Sequence, residues 1–200
     1  MRKVFWGAEE APNDSGSNSG SSKDTSGMVN TVGNRIYFYS GVATAPILDL
    51  NKALMELSGK LLGEFGEDAP PIRLHINSLG GYIYDAMAGV DAIDRCPVPV
   101  YTVIEGVAAS AATLMSVHGA KRYITKNSYM LIHQLSSVLW GKYEELKDDM
   151  ENSKVFMERI RKIYKDYTEV PDDKLNEILK HDLWWDAEQC LEYKLVDEIV

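Results

Sequence analysis

Three short stretches of the sequence carry groups that can do chemistry: Gly80-Gly81, Ser110 and His133. A serine hydroxyl becomes an effective nucleophile when a neighbouring base such as an imidazole removes its proton. Glycines allow unusual backbone angles and close approach by a ligand. Small residues surround Ser110 and leave room for a substrate: Ala108, Ala109, Ala111 and Ala112. Two of these stretches also have an ordinary explanation, since Ser110 can cap a packed helix and Gly-Gly can form a tight turn.

Ser110 lies where a predicted strand gives way to a predicted helix. The β-branched run from Val100 to Ile104 is typical of a buried strand, and we expect it to end at Glu105-Gly106. Small residues then lead Ser110 into a short apolar helix that Gly119 can close. Such a turn places the hydroxyl at the positive end of a helix, where negative charge is favoured.

The remaining pattern predicts an α/β fold with a largely parallel sheet covered by helices. Strands are predicted over Arg35–Tyr39, Ile72–Ile76, Val98–Ile104, Arg122–Thr125 and Ser128–Gln134. Helices are predicted from Pro46 through Leu61 and from Tyr82 through Ile93, with a polar loop over Gly63–Pro71. Sites in such folds gather beyond the carboxyl ends of strands. Gly80-Gly81, Ser110 and His133 each follow a predicted strand, so their coincidence favours one site.

The stretch from Glu144 to Tyr167 predicts a long amphipathic helix. Its apolar residues recur at intervals of three and four: Leu146, Met150, Met157, Ile160, Ile163, Tyr164 and Tyr167. The helix is longer than packing on one small sheet requires, so it either projects and meets a partner, which we expect, or lies across the domain. One short helix is predicted after it, over Leu175–Leu179, followed by a compact aromatic turn over His181–Trp185.

Composition predicts one soluble domain, 28–200, that follows a Ser/Gly-rich N-terminal tail, 1–27. The apolar cluster Val4-Phe5-Trp6 is either a docking peptide or a frayed end. A net charge of −9 argues against a nucleic-acid binder. Two distant cysteines, with no metal-ligand spacing, favour a reducing compartment. Without a membrane-length apolar run or a signal peptide, the expected location is the cytoplasm.

The order Gly80-Gly81, Ser110, His133 and Asp182 makes the chain, from about Arg35 onward, resemble the ClpP-type serine peptidases, the proteolytic subunits of Clp proteases. The matching segments are Asn77-Ser-Leu-Gly-Gly81, Gly106-Val-Ala-Ala-Ser110, Met130-Leu-Ile-His133-Gln134 and the block from Asp182 to Asp197. The resemblance implies the spiral α/β fold that this family shares with crotonase-type enzymes. It also implies a handle helix, 144–169, that joins stacked rings.

The same resemblance implies a serine endopeptidase that cleaves peptides or unfolded proteins inside an oligomeric chamber. Ser110 would be the nucleophile, His133 the base and Asp182 the acid of a triad. The backbone N–H groups of Gly81 and Ala111 would bind the oxyanion. No metal or organic cofactor is implied. The expected assembly is a homo-oligomer of two rings of seven, a tetradecamer, with an ATPase unfoldase as a possible partner.

The sequence departs from the family pattern at several positions. Leu79 replaces a proline, Ala111-Ala112 replaces Met-Gly, and Asp186 and Lys194 replace a small hydroxyl residue and a glycine. Leu135–Trp140 stands where cellular members have a Gly-rich strand. These changes indicate a divergent member, such as a phage head-maturation protease, and leave ring contact and ATPase docking open.

Other interpretations of the same residues remain. A crotonase-type acyl-CoA enzyme would use glycine-flanked amides without a triad, although the acidic charge does not suit a CoA phosphate. A ring-forming scaffold would need no chemistry, and a Ser–Lys dyad would use Lys121 or Lys126. Alternative bases and acids are the remaining histidines and nearby aspartates: His75, His118, His181, Asp172, Asp173 and Asp186.

Overall fold

The structure is a computed structural model that describes residues 5–6 and 29–200. Phe5–Trp6 forms a two-residue strand, β1. The rest of the predicted tail, 1–27, lies outside the described residues.

A mixed sheet forms the centre of the described chain. Its strands are β2 (Val29–Val32), β3 (Arg35–Phe38), β4 (Ile72–Ser78), β6 (Val100–Ala109), β7 (Lys121–Ile124), β8 (Tyr129–Leu131) and β9 (Glu198–Ile199). The order is β2-β3-β4-β6-β7-β9, and β8 also pairs with β6. Strand β2 runs antiparallel to β3, whereas the other neighbours are parallel. The predicted α/β fold with a largely parallel sheet is confirmed. A short strand, β5 (Gly81–Tyr82), pairs with β1.

Helices connect these strands and cover the sheet. They are α1 (Thr44–Phe65), α2 (Ile83–Asp94), α3 (Ala111–Val117), α4 (Tyr143–Tyr167), α5 (Asp172–Ile178) and α6 (Ala187–Glu192). The apolar residues of α1 at helical spacing are buried against the sheet, as their period predicts: Ile47, Leu50, Leu54, Leu57 and Leu61. Helix α1 continues to Phe65 and is followed by a 3₁₀ turn, Gly66–Asp68, so the loop predicted from Gly63 begins later.

The end predicted for strand β6 at Glu105-Gly106 is wrong. The strand continues to Ala109 because Gly106, at φ 78°, bends it without ending it. Before the bend, Tyr101–Ile104 pairs with β7, and after it Val107–Ala109 pairs with β8. The Gly106 N–H donates to Ser128 Oγ at 2.7 Å, which satisfies the backbone where the pairing changes.

Helix α4 is buried only in its last third. Ile160, Ile163 and Tyr164 are its buried residues. In the first two thirds, Tyr143, Met150 and Val155 are exposed. The first two thirds of the helix therefore present apolar side chains that the domain itself does not cover. Among the described residues, no helix combines the length and apolar character needed to span a membrane.

Candidate active site

Ser110 occupies a strained turn between β6 and α3. Its backbone lies at φ 56° and ψ −127°, which is rare for a residue with a side chain. Its N–H donates to Leu131 O at 2.8 Å, and its carbonyl accepts from Thr113 N at 3.0 Å. Ser110 stands at the N-cap position of α3, yet its side chain makes no capping hydrogen bond. The helix-cap interpretation is therefore wrong for the hydroxyl.

His133 follows β8 by two residues and lies beside Ser110. Parallel pairing of Ala108 with Met130 and of Ala109 with Leu131 sets the register between the two segments. In this register His133 Nε2 lies 2.8 Å from Ser110 Oγ. Strand β8 is shorter than the predicted Ser128–Gln134, but His133 still lies just beyond its carboxyl end. The imidazole is buried.

Asp182 lies between α5 and α6, in a segment that is tied to the His133 segment on both sides. Met130 and Trp185 exchange two backbone hydrogen bonds, and Gln134 N–H donates to Leu179 O at 2.7 Å. Asp182 Oδ1 consequently lies 2.7 Å from His133 Nδ1. The Asp182 side chain is 74% exposed, in contrast to His133. Solvent therefore screens its charge, and its main effect on the imidazole is through the hydrogen bond.

The Gly80-Gly81 turn packs directly against Ser110. Gly80 lies at φ 97°, and a Cβ atom there would stand 2.7 Å from Ser110 Cβ and 3.0 Å from Ala111 N. A Cβ atom at Gly81 would stand 2.1 Å from Val42 O. No side chain fits at either position. Glycine thus brings the backbone of this turn next to the nucleophile, and the prediction of one site at the strand ends describes the observed arrangement.

Five of the alternative bases and acids are engaged elsewhere. His75 Nδ1 lies 2.8 Å from Glu105, and His118 Nδ1 lies 2.9 Å from Asp94. Lys121 forms an exposed ion pair with Glu198, and Asp172 forms one with Lys165. Asp186 accepts from Gln189 N and caps α6.

The sequence analysis did not identify two buried residues, Thr113 and Tyr164, that are hydrogen-bonded in a chain to the backbone carbonyl of Ser110. Thr113 Oγ1 lies 2.5 Å from Ser110 O and 2.6 Å from the hydroxyl of Tyr164 on α4. Tyr164 is completely buried, and that burial raises its pKa, so its hydroxyl keeps its proton. The position of Tyr164 in the apolar stripe suggested packing only. The available signal in the sequence was the hydroxyl of Tyr164, because a tyrosine that is buried with an apolar stripe needs a hydrogen-bond partner.

Glu105 belongs to a separate cluster on the other side of the Gly106 bend. Burial acts to raise its pKa, but hydrogen bonds with Tyr39 and His75 outweigh that effect and hold the pKa below its ordinary value. Burial, together with Glu105, raises the pKa of Tyr39 to about 12. This cluster ties β3, β4 and β6 together. Within the described residues, no group of three or more potential ligands is placed to hold a metal ion.

Comparisons with known proteins place this geometry in a family. The sequence model of the Clp protease family, described as Clp protease, matches residues 52–200. The chain belongs to the Clp protease family. The predicted ClpP-type resemblance is therefore confirmed, and so is the classification as a peptidase of this family.

Two curated relatives and one solved structure show how close this Clp protease family member is to known proteins. It is 33% identical to the ATP-dependent Clp protease proteolytic subunit 1 of Leifsonia xyli over 72% of this chain and 75% of that protein. It is 29% identical to the ATP-dependent Clp protease proteolytic subunit of Streptococcus mutans, over 78% of this chain and 82% of that one. A mutant ClpP1 from Listeria monocytogenes superposes with a TM-score of 0.71 at 22% identity, covering 81% and 88% of the two chains. The structural match confirms the predicted spiral fold.

Proposed function

We propose that this Clp protease family member is a serine endopeptidase in which Ser110, His133 and Asp182 act as a catalytic triad. The observation that carries the proposal is the continuous chain of two hydrogen bonds, 2.8 Å from Ser110 to His133 and 2.7 Å from His133 to Asp182. A nucleophile in reach of a base, and a base oriented by a third group, is the arrangement that nucleophilic catalysis requires.

The two hydrogen bonds support a distinct role for each nitrogen of His133. A carboxylate can only accept hydrogen bonds, so the Nδ1–H of His133 donates to Asp182. In the neutral imidazole, Nε2 then carries no proton and accepts the hydrogen bond of the Ser110 hydroxyl. As Ser110 Oγ attacks a peptide carbonyl, Nε2 takes its proton and then gives it to the leaving amine. Asp182 holds the tautomer that makes both transfers possible.

The negative oxygen of the tetrahedral intermediate needs donors close to Ser110. We assign this role to the backbone N–H groups of Gly81 and Ala111. In support, the turn that carries Gly81 packs closely against Ala111, since a Cβ atom at the neighbouring Gly80 would stand 3.0 Å from Ala111 N. One such donor is typically worth about 10²- to 10³-fold in rate.

The proposed substrates are peptides and unfolded proteins, cleaved inside a chamber of two stacked rings of this chain. The exposed apolar residues of α4, Met150 and Val155 among them, support a contact between copies. Met157 and Ile160, which the sequence pattern also favours for that contact, do not fit it equally. Ile160 is fully buried in its own domain, and Met157 accepts a hydrogen bond from Leu135 N. The contact is therefore assigned to the exposed apolar side chains of α4 that precede Met157, which are Tyr143, Met150 and Val155.

An ATPase unfoldase is the proposed partner, since the names of the relatives describe ATP-dependent proteases. The segment from Leu135 to Trp140 forms no strand in the described part of the chain, and Val138 and Trp140 are exposed. This departure keeps a phage head-maturation protease as the second candidate. A cytoplasmic location remains part of the proposal.

Labelling with a fluorophosphonate probe tests the proposal. We expect one adduct per chain, on Ser110, and none in Ser110→Ala. Ser116→Ala is the matched control, because Ser116 is also buried and lies on α3 but contacts only Thr113 O through its hydroxyl. Labelling of Ser110→Ala at the rate of the unmodified chain contradicts the assignment.

A further inference from the structure

A strand from the N-terminal part of the chain lies against the turn beside Ser110. Phe5 pairs with Tyr82 and Trp6 pairs with Gly81, in antiparallel orientation. Neighbouring strands lie about 4.8 Å apart. Since Gly80 packs against Ser110, the backbone of Trp6 runs within one strand spacing of the turn that contacts the nucleophile.

The pairing covers a particular edge of the Gly81–Tyr82 strand. On its other edge, Val42 N–H donates to Gly80 O and Tyr82 N–H donates to Val42 O, both at 2.8 Å. In a strand, successive residues direct their N–H and C=O groups to opposite edges. The N–H and C=O of Gly81 therefore face away from Val42 and toward Trp6. That N–H is the one assigned above to the oxyanion.

We propose that the Phe5–Trp6 strand occupies, in cis, the edge on which an extended peptide substrate binds to this active site. Peptides commonly bind proteins by adding a strand to an exposed edge, through backbone hydrogen bonds. In this arrangement the Trp6 carbonyl accepts from the Gly81 N–H, where the carbonyl of a substrate must lie during attack by Ser110. This inference rests on the proposed peptidase function and adds an internal competitor for its substrate.

The size of the contact makes it reversible. Two paired residues form a marginal interaction on their own. The connection through residues 7–28 makes the binding intramolecular, and that segment is rich in Ser and Gly. Intramolecular binding of this kind corresponds to an effective concentration on the order of millimolar. While the segment is bound, a competing peptide cannot bind. The apparent dissociation constant of the peptide is therefore its intrinsic value divided by the fraction of chains in which the edge is open.

Binding of a labelled peptide measures this competition without any catalysis. The peptide has the sequence of residues 1–7, and its fluorescence anisotropy is followed with the full chain carrying Ser110→Ala. The variant Trp6→Pro removes the N–H that faces Gly81 O and so breaks the pairing. Ser17→Pro, in the Ser/Gly-rich segment, is the matched control. A peptide with proline at its sixth position controls for binding elsewhere.

We expect the dissociation constant of the peptide to be at least about tenfold lower for the chain with Trp6→Pro than for the chain with the unmodified N-terminal segment. The chain with Ser17→Pro should bind the peptide like the latter. In chains that keep Ser110, Trp6→Pro should lower KM for a small peptide by a similar factor at unchanged kcat. Equal dissociation constants in all three chains overturn the inference. If the peptide binds as expected but no chain hydrolyses substrate, the peptidase function fails instead. If hydrolysis is normal but indifferent to Trp6→Pro, only this inference fails.

Discussion

The hydroxyl of Tyr164 lies 2.6 Å from Thr113 Oγ1, which links the buried end of α4 to the helix that begins at the nucleophile. Thr113 has a single hydroxyl proton, and Ser110 O at 2.5 Å can only accept it. Tyr164 is therefore the donor to Thr113, and Thr113 is the donor to Ser110. The helix proposed to join copies of the chain thus reaches the backbone of the nucleophile in two hydrogen bonds.

Tyr164→Phe removes the first of these bonds and leaves the second. We expect the free energy of unfolding to fall by about 1 kcal/mol and kcat to fall a few-fold, because Thr113 keeps its bond to Ser110. Thr113→Val leaves a buried tyrosine hydroxyl without its partner and should cost more, about 1–3 kcal/mol. Denaturant unfolding and peptide hydrolysis measure both. In the double variant the two losses should not add, and strict additivity contradicts the link.

The backbone angles of Ser110 predict that glycine is more stabilising than alanine at Ser110, whereas alanine is more stabilising than glycine at Ser116. At φ 56° a side chain is strained, so Ser110→Gly should be more stable than Ser110→Ala by about 1 kcal/mol, with both variants inactive. At Ser116, inside α3, the order should reverse, because glycine costs about 1 kcal/mol in a helix. Thermal unfolding of the four variants decides the question, and the same order at both sites would refute a strained nucleophile turn.

The exposure of Asp182 predicts a moderate loss in Asp182→Asn. A buried aspartate in a serine-protease triad is worth about 10⁴-fold in kcat. Here the carboxylate is exposed, so solvent screens its charge and water can replace it as the partner of His133 Nδ1. We therefore expect a smaller loss, about 10²-fold. Asp172→Asn, at another exposed aspartate with an ion pair, is the control and should keep full activity. Unchanged hydrolysis in Asp182→Asn would assign the acid elsewhere.

Asp197 gives the fold a pH-dependent component. Burial acts to raise its pKa, but hydrogen bonds from Arg122 outweigh this and lower it. A lowered folded-state pKa contributes stability that is complete above the unfolded value and is lost as pH falls through the folded value. Asp197→Asn should therefore cost about 2 kcal/mol at pH 7, and the difference from the unmodified chain should shrink below about pH 4.

The matched control for Asp197 is Glu198→Gln. Glu198 also pairs with a cation, Lys121, but both side chains are exposed. Such surface pairs are worth about 0–1 kcal/mol. Urea titrations at pH 7 and at pH 3 separate the two cases. A cost of Asp197→Asn that is the same at both pH values contradicts the role of the carboxylate charge.

The division of α4 into a buried and an exposed part predicts two kinds of variant. Met150→Glu with Val155→Glu should split the assembly into smaller species with the fold intact, since unpaired charge would be buried only at the contact. Ile160→Glu should instead unfold the chain, because Ile160 is fully buried in its own domain. Light scattering together with circular dichroism measures both. A monomeric but active unmodified chain would show that α4 does not join copies.

The parts of the fold that follow from local pattern were predictable from the sequence. The period of α1 and the apolar stripe of α4 each specify a helix whose apolar face is buried or shared. The continuation of β6 through Gly106 was not predictable, because it depends on pairing with β8, which is distant in sequence. The same holds for the placement of Asp182, whose distance from His133 depends on backbone hydrogen bonds at Met130 and Gln134.

Family resemblance supplied what spacing could not. From the residues alone, Ser110 could also be a helix cap. The missing capping hydrogen bond and the contact with His133 distinguish the two interpretations. The roles of Thr113 and Tyr164 were missed because each residue satisfies an ordinary packing pattern. Hydrogen-bond partners of buried hydroxyls are set by tertiary structure, which periodicity does not report.

The register of the three-residue strand β8 sets the position of His133 relative to both Ser110 and Asp182. Its segment contacts the Ser110 side through Leu131 O and the Asp182 side through Met130 and Gln134. A slip of one residue would move His133 by about 3.3 Å and turn it to the opposite face of the sheet. Both of its hydrogen bonds would then break together. The site therefore keeps both hydrogen bonds of His133 or loses both. Inserting or deleting a single residue between 125 and 130 should abolish peptide hydrolysis completely.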